Sequence, residues 1–277
     1  MPLLTFPTWE IARPAHALTE AHVAIRALAP LDPARMSLPQ AAELVRAYRA
    51  TRNALHTVLG CDGFALSFSW SWTPFGDGIG EPAPEWEGAV LHVFGRGPGE
   101  RTKPVRAMAL PARERPTPLP ADEESSLAKR LETVLATIET STPFTPTMRA
   151  AASAECDGCL PEVERDQEVW RAQGVRVLRP RDPLVEANVL VLPLRHVASV
   201  GSLRPDEIVS YAARLHEVRV DLGRRFRSTG LSCFVNDGAR AGQTTPHAHV
   251  HVVGRSREEP ANPFEILGRR IGIRAQG

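Results

Sequence analysis

The chain has 277 residues, 43% of them hydrophobic and 23% charged, with a formal net charge of +1 at pH 7. That length suits one large domain or two ordinary ones, and the composition is that of a soluble globular protein. A charge so close to zero provides no basic field, which argues against a dedicated nucleic-acid binder.

Other classes are excluded by pattern. No stretch of about eighteen apolar residues offers a membrane span, and the N-terminus lacks the charged and apolar regions of an export signal. The four cysteines, Cys61, Cys156, Cys159 and Cys233, do not suggest the disulfide framework of a short secreted chain. Cytoplasmic residence is therefore the expectation.

In chain order, a short apolar strand follows Ala21, and helical spacing of Leu44, Val45, Tyr48, Leu55 and Val58 predicts a long helix. Ser37 with Gln40 reads as its capping box and Gly60 as its stop. An alternating strand over Trp86–Arg96 ends in Gly-Arg. The Pro-rich stretch Pro111–Pro120 reads as a stiff linker between two halves. A helix is predicted over Glu124–Thr140, with Leu127, Leu131, Val134 and Ile138 on one face, bridging or closing the first half.

The second half repeats this order. A strand lies near VLVLP, and a helix carries Ile208, Tyr211, Ala212, Leu215, Val218, Leu222 and Phe226. Pro205 suits its first turn and Gly230 its stop, and Thr244–Arg255 is an alternating strand that again ends in Gly-Arg. The segments from Ala21 and from Ala187 align along their length, so the chain reads as two copies of one α+β unit. The alternative is two unrelated α+β segments, and the shared element order weighs against it.

Chemistry concentrates late in the chain. His247, His249 and His251 alternate with Ala248 and Val250, so on a strand all three imidazoles line one face. Before them lies a polar, Gly-rich loop, Asn236 to Thr245, able to bring backbone N–H groups against an anion. Cys156-Asp157-Gly158-Cys159 is a lone Cys-x-x-Cys: a redox pair, half of a zinc site, or neither. With His196 as third ligand and His247 as fourth it makes a closed tetrahedral zinc set, provided the fold brings them together. A metal-binding strand of the cupin type also begins His-x-His, but Val252 to Arg255 supply none of the carboxylate that it requires. Trp70, Trp72 and Trp86 read as core or inter-copy packing, with a substrate cleft as the alternative; Cys61 and Cys233 read as buried thiols. His16, His22, His56 and His216 read as surface or core residues.

VNDGARAGQTTPHAHVHVVGR resembles the active-site block of the histidine-triad (HIT) family, and EANVLVLPLRHVASVGSL its strand ending in Pro-x-x-His. The resemblance covers roughly residues 150 to 260 and reaches the first half only through the repeat. It implies that His249 is the nucleophile toward a nucleotide α-phosphate, that His251 hydrogen-bonds the phosphate, and that Thr244 passes a proton to the leaving group. It places Asn236, Gly242, Gln243 and Thr245 against the substrate, and a structural zinc on Cys156, Cys159, His196 and His247. The family's acidic ribose contact has no counterpart, since Pro or Arg falls there with Asp182 nearby.

The first copy sets Gly88, Val90 and His92 against the three histidines, lacks the cysteine pair and has Pro30 in place of His196, so it reads as catalytically silent. The architecture implied is two HIT-like units, each an antiparallel sheet plus helix, joined as an intramolecular pseudo-dimer and resembling galactose-1-phosphate uridylyltransferase. The expected units are a degenerate one over 1–141, including linker and bridging helix, and a catalytic one over 142–277. A histidine at the third position goes in this family with hydrolases of nucleoside phosphoramidates or dinucleoside polyphosphates. The tandem layout points instead to nucleotidyl transfer, and a repurposed protein that only binds a phosphorylated metabolite is the non-enzymatic alternative. The partner expected is a nucleotide or nucleotide conjugate, with no nucleic acid or membrane, and the chain as monomer or homodimer.

Overall fold

The computed structural model describes residues 1–137 and 156–274. The first half contributes strands β1 (Pro2–Thr5), β2 (Trp9–Ala12), β3 (His22–Ala27), β4 (Gly63–Trp70) and β5 (Val90–Arg96). The second contributes β6 (Glu168–Ala172), β7 (Val175–Leu178), β8 (Asn188–Pro193), β9 (Gly230–Asp237) and β10 (Val250–Arg255). All ten join one antiparallel sheet in the order β1-β2-β3-β5-β4-β9-β10-β8-β7-β6.

That order is a palindrome of two five-stranded units. The seam is the β4–β9 pair, in register from Phe64 opposite Asp237 to Trp70 opposite Leu231, with Ser67 facing Phe234 at its centre. The units match residue for residue: Gly63 faces Arg96 as Gly230 faces Arg255. Arg96 and Arg255, the two Gly-Arg endings, each pair with a glutamate four residues on, Glu100 and Glu259. Leu18 N–H donates to His22 Nδ1 at 3.1 Å, and Leu184 N–H donates to Asn188 Oδ1 at 3.1 Å in the matching turn.

Helices α1 (Leu38–Leu59) and α5 (Pro205–Phe226) are the long helices of the two units, each of 22 residues. The α1 capping box is present: Ser37 Oγ accepts from Gln40 N–H, and Gln40 Oε1 from Ser37 N–H at 2.8 Å. Gly60 ends α1 at φ 67°, the left-handed conformation open to glycine. In α5 that position is Arg227, at φ 56°, so Gly230 is not the helix stop expected from the sequence. Gly230 instead begins β9, where a Cβ would lie 2.3 Å from the Ser71 carbonyl oxygen.

One core fills the face of the sheet covered by α1, α5 and α3 (Ala121–Thr137). It runs without a break from Ile25, Leu55 and Val93 in the first unit to Val191, Leu222 and Val252 in the second. The opposite face carries a smaller cluster of Leu18, Phe94, Met108 and Phe264, built from α2 (Pro104–Met108) and α6 (Pro263–Arg274). The remaining helix, α4 (Pro161–Gln167), packs on β6.

Three expectations need adjusting. The bridging helix starts at Ala121, three residues early, and buries Leu127, Leu131 and Leu135; Ile138, the expected end at Thr140 and the 141/142 boundary lie outside the described residues. It packs on α1 and β1, closing the first unit. The Pro-rich stretch is not a free spacer: Arg115 donates to the carbonyls of Ala107, Gly78 and Gly80, tying it to the first unit. The last strands begin later than alternation suggested, at Val90 and Val250, because the preceding residues leave the ladder to form loops. Trp72 packs between the copies, its ring 4.6 Å from the Arg255 guanidinium, while Cys61 and Cys233 are buried thiols.

Candidate active site

The site is built around the loop between β9 and β10. Ala248, Val250 and Val252 point into the main core, which turns the alternating histidines to the other face. His249 precedes the first residue of β10 and is 8% exposed. Its Nδ1 lies 2.8 Å from the His247 carbonyl oxygen. A carbonyl only accepts, so Nδ1 carries the proton and Nε2 presents a lone pair. Burial lowers the pKa of His249, so the imidazole stays neutral.

His251 stands 5.0 Å from the His249 ring and stacks on Phe234, centroids 4.8 Å apart. Burial and the neighbouring His249 hold it at about 3. The structure divides the predicted row of three: His249 and His251 are in ring contact, while His247 turns toward the cysteines and is fully buried.

Cys156, Cys159, His196 and His247 come together as expected, with their donor atoms all within 4.8 Å of one another. His247 Nδ1 lies 3.8 Å from Cys156 Sγ and 3.3 Å from Cys159 Sγ; His196 Nδ1 lies 3.4 Å from Cys159 Sγ. Tetrahedral zinc with ordinary Zn–S and Zn–N bonds requires sulfur–nitrogen separations of about 3.6 Å, so this donor set fits such an ion. His247 Nε2 donates to the Pro193 carbonyl at 2.9 Å, which frees Nδ1 as the ligand atom. Without a cation, burial and the adjacent Cys159 push the Cys156 thiol up to about 11. Arg176, unremarked in the sequence, donates to the Gly158 carbonyl and braces the Cys-x-x-Cys turn.

The loop residues divide by role. Thr244 and Gly242 are exposed, and Asn236 and Thr245 are half-buried. Gln243 is buried and its amide is fully engaged: Oε1 accepts from Gly238 N–H at 2.7 Å, and Nε2 donates to the Ala198 and Thr245 carbonyls at 2.8 and 3.1 Å. That side chain shapes the loop from inside, whereas the sequence suggested contact with substrate. Asp182, near the missing ribose carboxylate, pairs with Arg270 of α6 at 2.8 Å.

The matching place in the first unit is filled. His92 occupies the His251 position and bonds to His22 at 3.0 Å, and Phe94 stacks on His22 under Leu18, Met108 and Phe264. The role of His22 in this dyad gave no signal in the sequence. Nor did Tyr48, Arg52 and Ser199, which surround the buried carboxylate of Asp237 beside Asn236. Among the described residues no helix is long and apolar enough to cross a membrane.

Residues 162–258 match the HIT domain family. A bis(5'-nucleosyl)-tetraphosphatase (asymmetrical) of Schizosaccharomyces pombe is 31% identical over 77 residues, 28% of this chain and 42% of that protein. The chain thus spans about half the length of the curated relatives it matches. A GalT-like protein from Arabidopsis thaliana shares the fold across 94% of this chain and 77% of its own, at TM-score 0.54 and 10% identity. An ADP-glucose phosphorylase from Arabidopsis thaliana with bound ADP-glucose does so across 94% and 75%, at TM-score 0.52 and 10% identity. The match to the HIT domain family therefore falls in the second half of the chain, within a two-unit fold that is shared over nearly its whole length with these two Arabidopsis proteins.

Proposed function

We propose that this protein is a nucleotidyl hydrolase that cleaves at a nucleotide α-phosphate through a nucleotidyl-histidine on His249. The observation that carries the reading is the His249 Nδ1 bond to the His247 carbonyl, which leaves a neutral Nε2 as nucleophile. In the first step Nε2 forms a bond to the α-phosphorus, and the bond from phosphorus to the leaving group breaks in line. The leaving group takes the electron pair, and Thr244, exposed on the loop, passes it a proton. Water then attacks phosphorus and returns a proton to Thr244, the P–N bond breaks with its electron pair going back to Nε2, and His249 is restored. Asn236, Gly242 and Thr245 flank the phosphate, and the backbone N–H groups of Thr244 and Thr245 stabilise the equatorial oxygens. His251, neutral and held against Phe234, hydrogen-bonds the phosphate.

Cys156, Cys159, His196 and His247 would hold a structural zinc, with all four positions taken by protein. Bound there, it would pin the His247 backbone, whose carbonyl orients His249. We take the first unit, with its helix α3, as residues 1–141 and the catalytic unit as 142–277, with one working site per chain. The substrate class is a nucleoside phosphoramidate or a dinucleoside polyphosphate. The S. pombe relative is named for a dinucleoside polyphosphate substrate, which supports the second.

Intact mass tests the reading. Wild type and His249→Ala are incubated with adenosine and guanosine phosphoramidates, diadenosine tetraphosphate and nucleotide sugars. One nucleoside-monophosphate adduct per chain, or turnover, on wild type alone supports it. An adduct that only a phosphorylated acceptor resolves would make the protein a transferase; binding without adduct or turnover would remove the hydrolase reading.

A further inference from the structure

The first unit has no working site of its own, yet it reaches into the loop that carries the second one. Asp237 lies between Asn236 and Gly238 at the end of β9 and is 2% exposed. Its Oδ2 accepts three hydrogen bonds: from Tyr48 Oη at 2.6 Å, Arg52 Nη1 at 3.0 Å and Ser199 Oγ at 3.0 Å. Tyr48 and Arg52 belong to α1 of the silent unit. Arg52 Nη1 also donates to Ser199 Oγ at 2.7 Å, so the four residues form one buried cluster.

Ser199 closes a short rung of four residues, each tied to a different part of the site. His196 belongs to the zinc-fitting cluster. The Val197 carbonyl accepts from Ala248 N–H at 2.6 Å, between His247 and His249. The Ala198 carbonyl accepts from Gln243 Nε2, and Gln243 Oε1 accepts from Gly238 N–H. Asp237 and Ser199 complete the circuit, and Arg52 and Tyr48 anchor it to the other unit.

The mirror-related place shows that this is not general packing between copies. The seam relates Asp237 to Trp70, and the helices relate Arg52 to Arg219. There Arg219 lies 5.8 Å over the Trp70 ring, and Leu215 stands where Tyr48 would. A carboxylate gripped by three donors occurs on the side that carries His249, and an aromatic contact replaces it on the other.

We propose that Arg52 and Tyr48 of the silent unit are positioning residues for the active-site loop, acting through Asp237 and Ser199. The proposal rests on the reading of His249 given above for its kinetic consequence, but not for the anchoring itself. A buried carboxylate with three donors holds its backbone in one place, and a displacement of about 1 Å at a reacting centre costs up to about a hundredfold in rate.

The test uses the full, zinc-loaded chain as wild type, Tyr48→Phe, Arg52→Gln and Arg219→Gln. Amide hydrogen exchange is read over residues 237–245, and kcat and KM are read separately on whichever probe of the panel turns over. Arg52→Gln should exchange faster across the loop and lose about 10- to 100-fold in kcat with KM within about threefold. Tyr48→Phe, which removes a single oxygen and keeps the core intact, should shift both readouts in the same direction by less. Arg219→Gln should leave loop and rate as in wild type. Wild-type exchange in both Tyr48→Phe and Arg52→Gln, or equal loosening by Arg219→Gln, overturns the proposal. If wild type transfers no nucleotide, the exchange data still decide the anchoring, and the failure belongs to the functional reading alone.

Discussion

His22 donates from Nε2 to His92 Nδ1 across 3.0 Å, and the direction is set by Leu18, whose N–H bonds to His22 Nδ1. Both rings are buried, and burial holds His92 at about 4 and His22 well below its ordinary value. In the unfolded chain both titrate near the usual histidine value, so between about 4 and about 6.5 the unfolded state binds more protons. Stability is therefore complete above pH 6.5 and is lost as pH falls toward 4. His92 contributes a loss on the order of 1–2 kcal/mol between pH 6.5 and 5, and His22 adds to it in the same direction. Asn188 stands at the position of His22 in the second unit and makes the same turn bond. Urea unfolding from pH 7.5 to 5 should show a shallower fall for His22→Asn than for wild type; parallel curves would remove the dyad as its source.

The cysteine–histidine cluster should bind one zinc per chain. Cys156→Ser or His196→Ala should lose the metal by elemental analysis and lower the melting temperature. Thiol titration offers a separate check. With metal bound no cysteine should react rapidly, because Cys61 and Cys233 are buried and the other two are ligands. Chelation should release one reactive thiol, the half-buried Cys159, with the buried Cys156 reacting slowly, and unfolding should release all four.

Two glycines sit where the units exchange loops. A Cβ on Gly63 would lie 2.7 Å from Ala241 N in the active-site loop, and one on Gly230 would lie 2.3 Å from the Ser71 carbonyl. Both obstacles are backbone, so either substitution to alanine must shift a loop, at a cost of about 1–3 kcal/mol. Gly63→Ala should in addition reduce activity more than Gly230→Ala at equal loss of melting temperature, since only Gly63 lies under the loop that leads to His249. Equal activity losses would separate the loop from the seam.

His249→Ala should abolish adduct formation while keeping zinc and fold, because His249 is not among the four clustered donors and its Nδ1 bond is to its own loop. Loss of zinc in that variant would instead place His249 in the metal set.

Local physics made much of this protein legible in one dimension. Periodicity marked α1 and α5, Ser37 and Gln40 marked a helix start, and the alternation of His247, His249 and His251 with small apolar residues marked which side chains face the core. The two-unit layout was legible because each unit needs the same strands and helix to bury its own face. Boundaries were less so: Gly230 looked like a helix stop, but the loop crossing from Ser71 requires it. What the linear order does not hold are distances between remote residues. His196 and His247 meet because β8 and β10 pair; Arg52 and Asp237, 185 positions apart, meet because the two units share one sheet and one core. An arginine on a helix and an aspartate at a strand end are ordinary until folding removes water from both. Only the tertiary structure makes them a buried pair, and only there does the first unit touch the loop of the second.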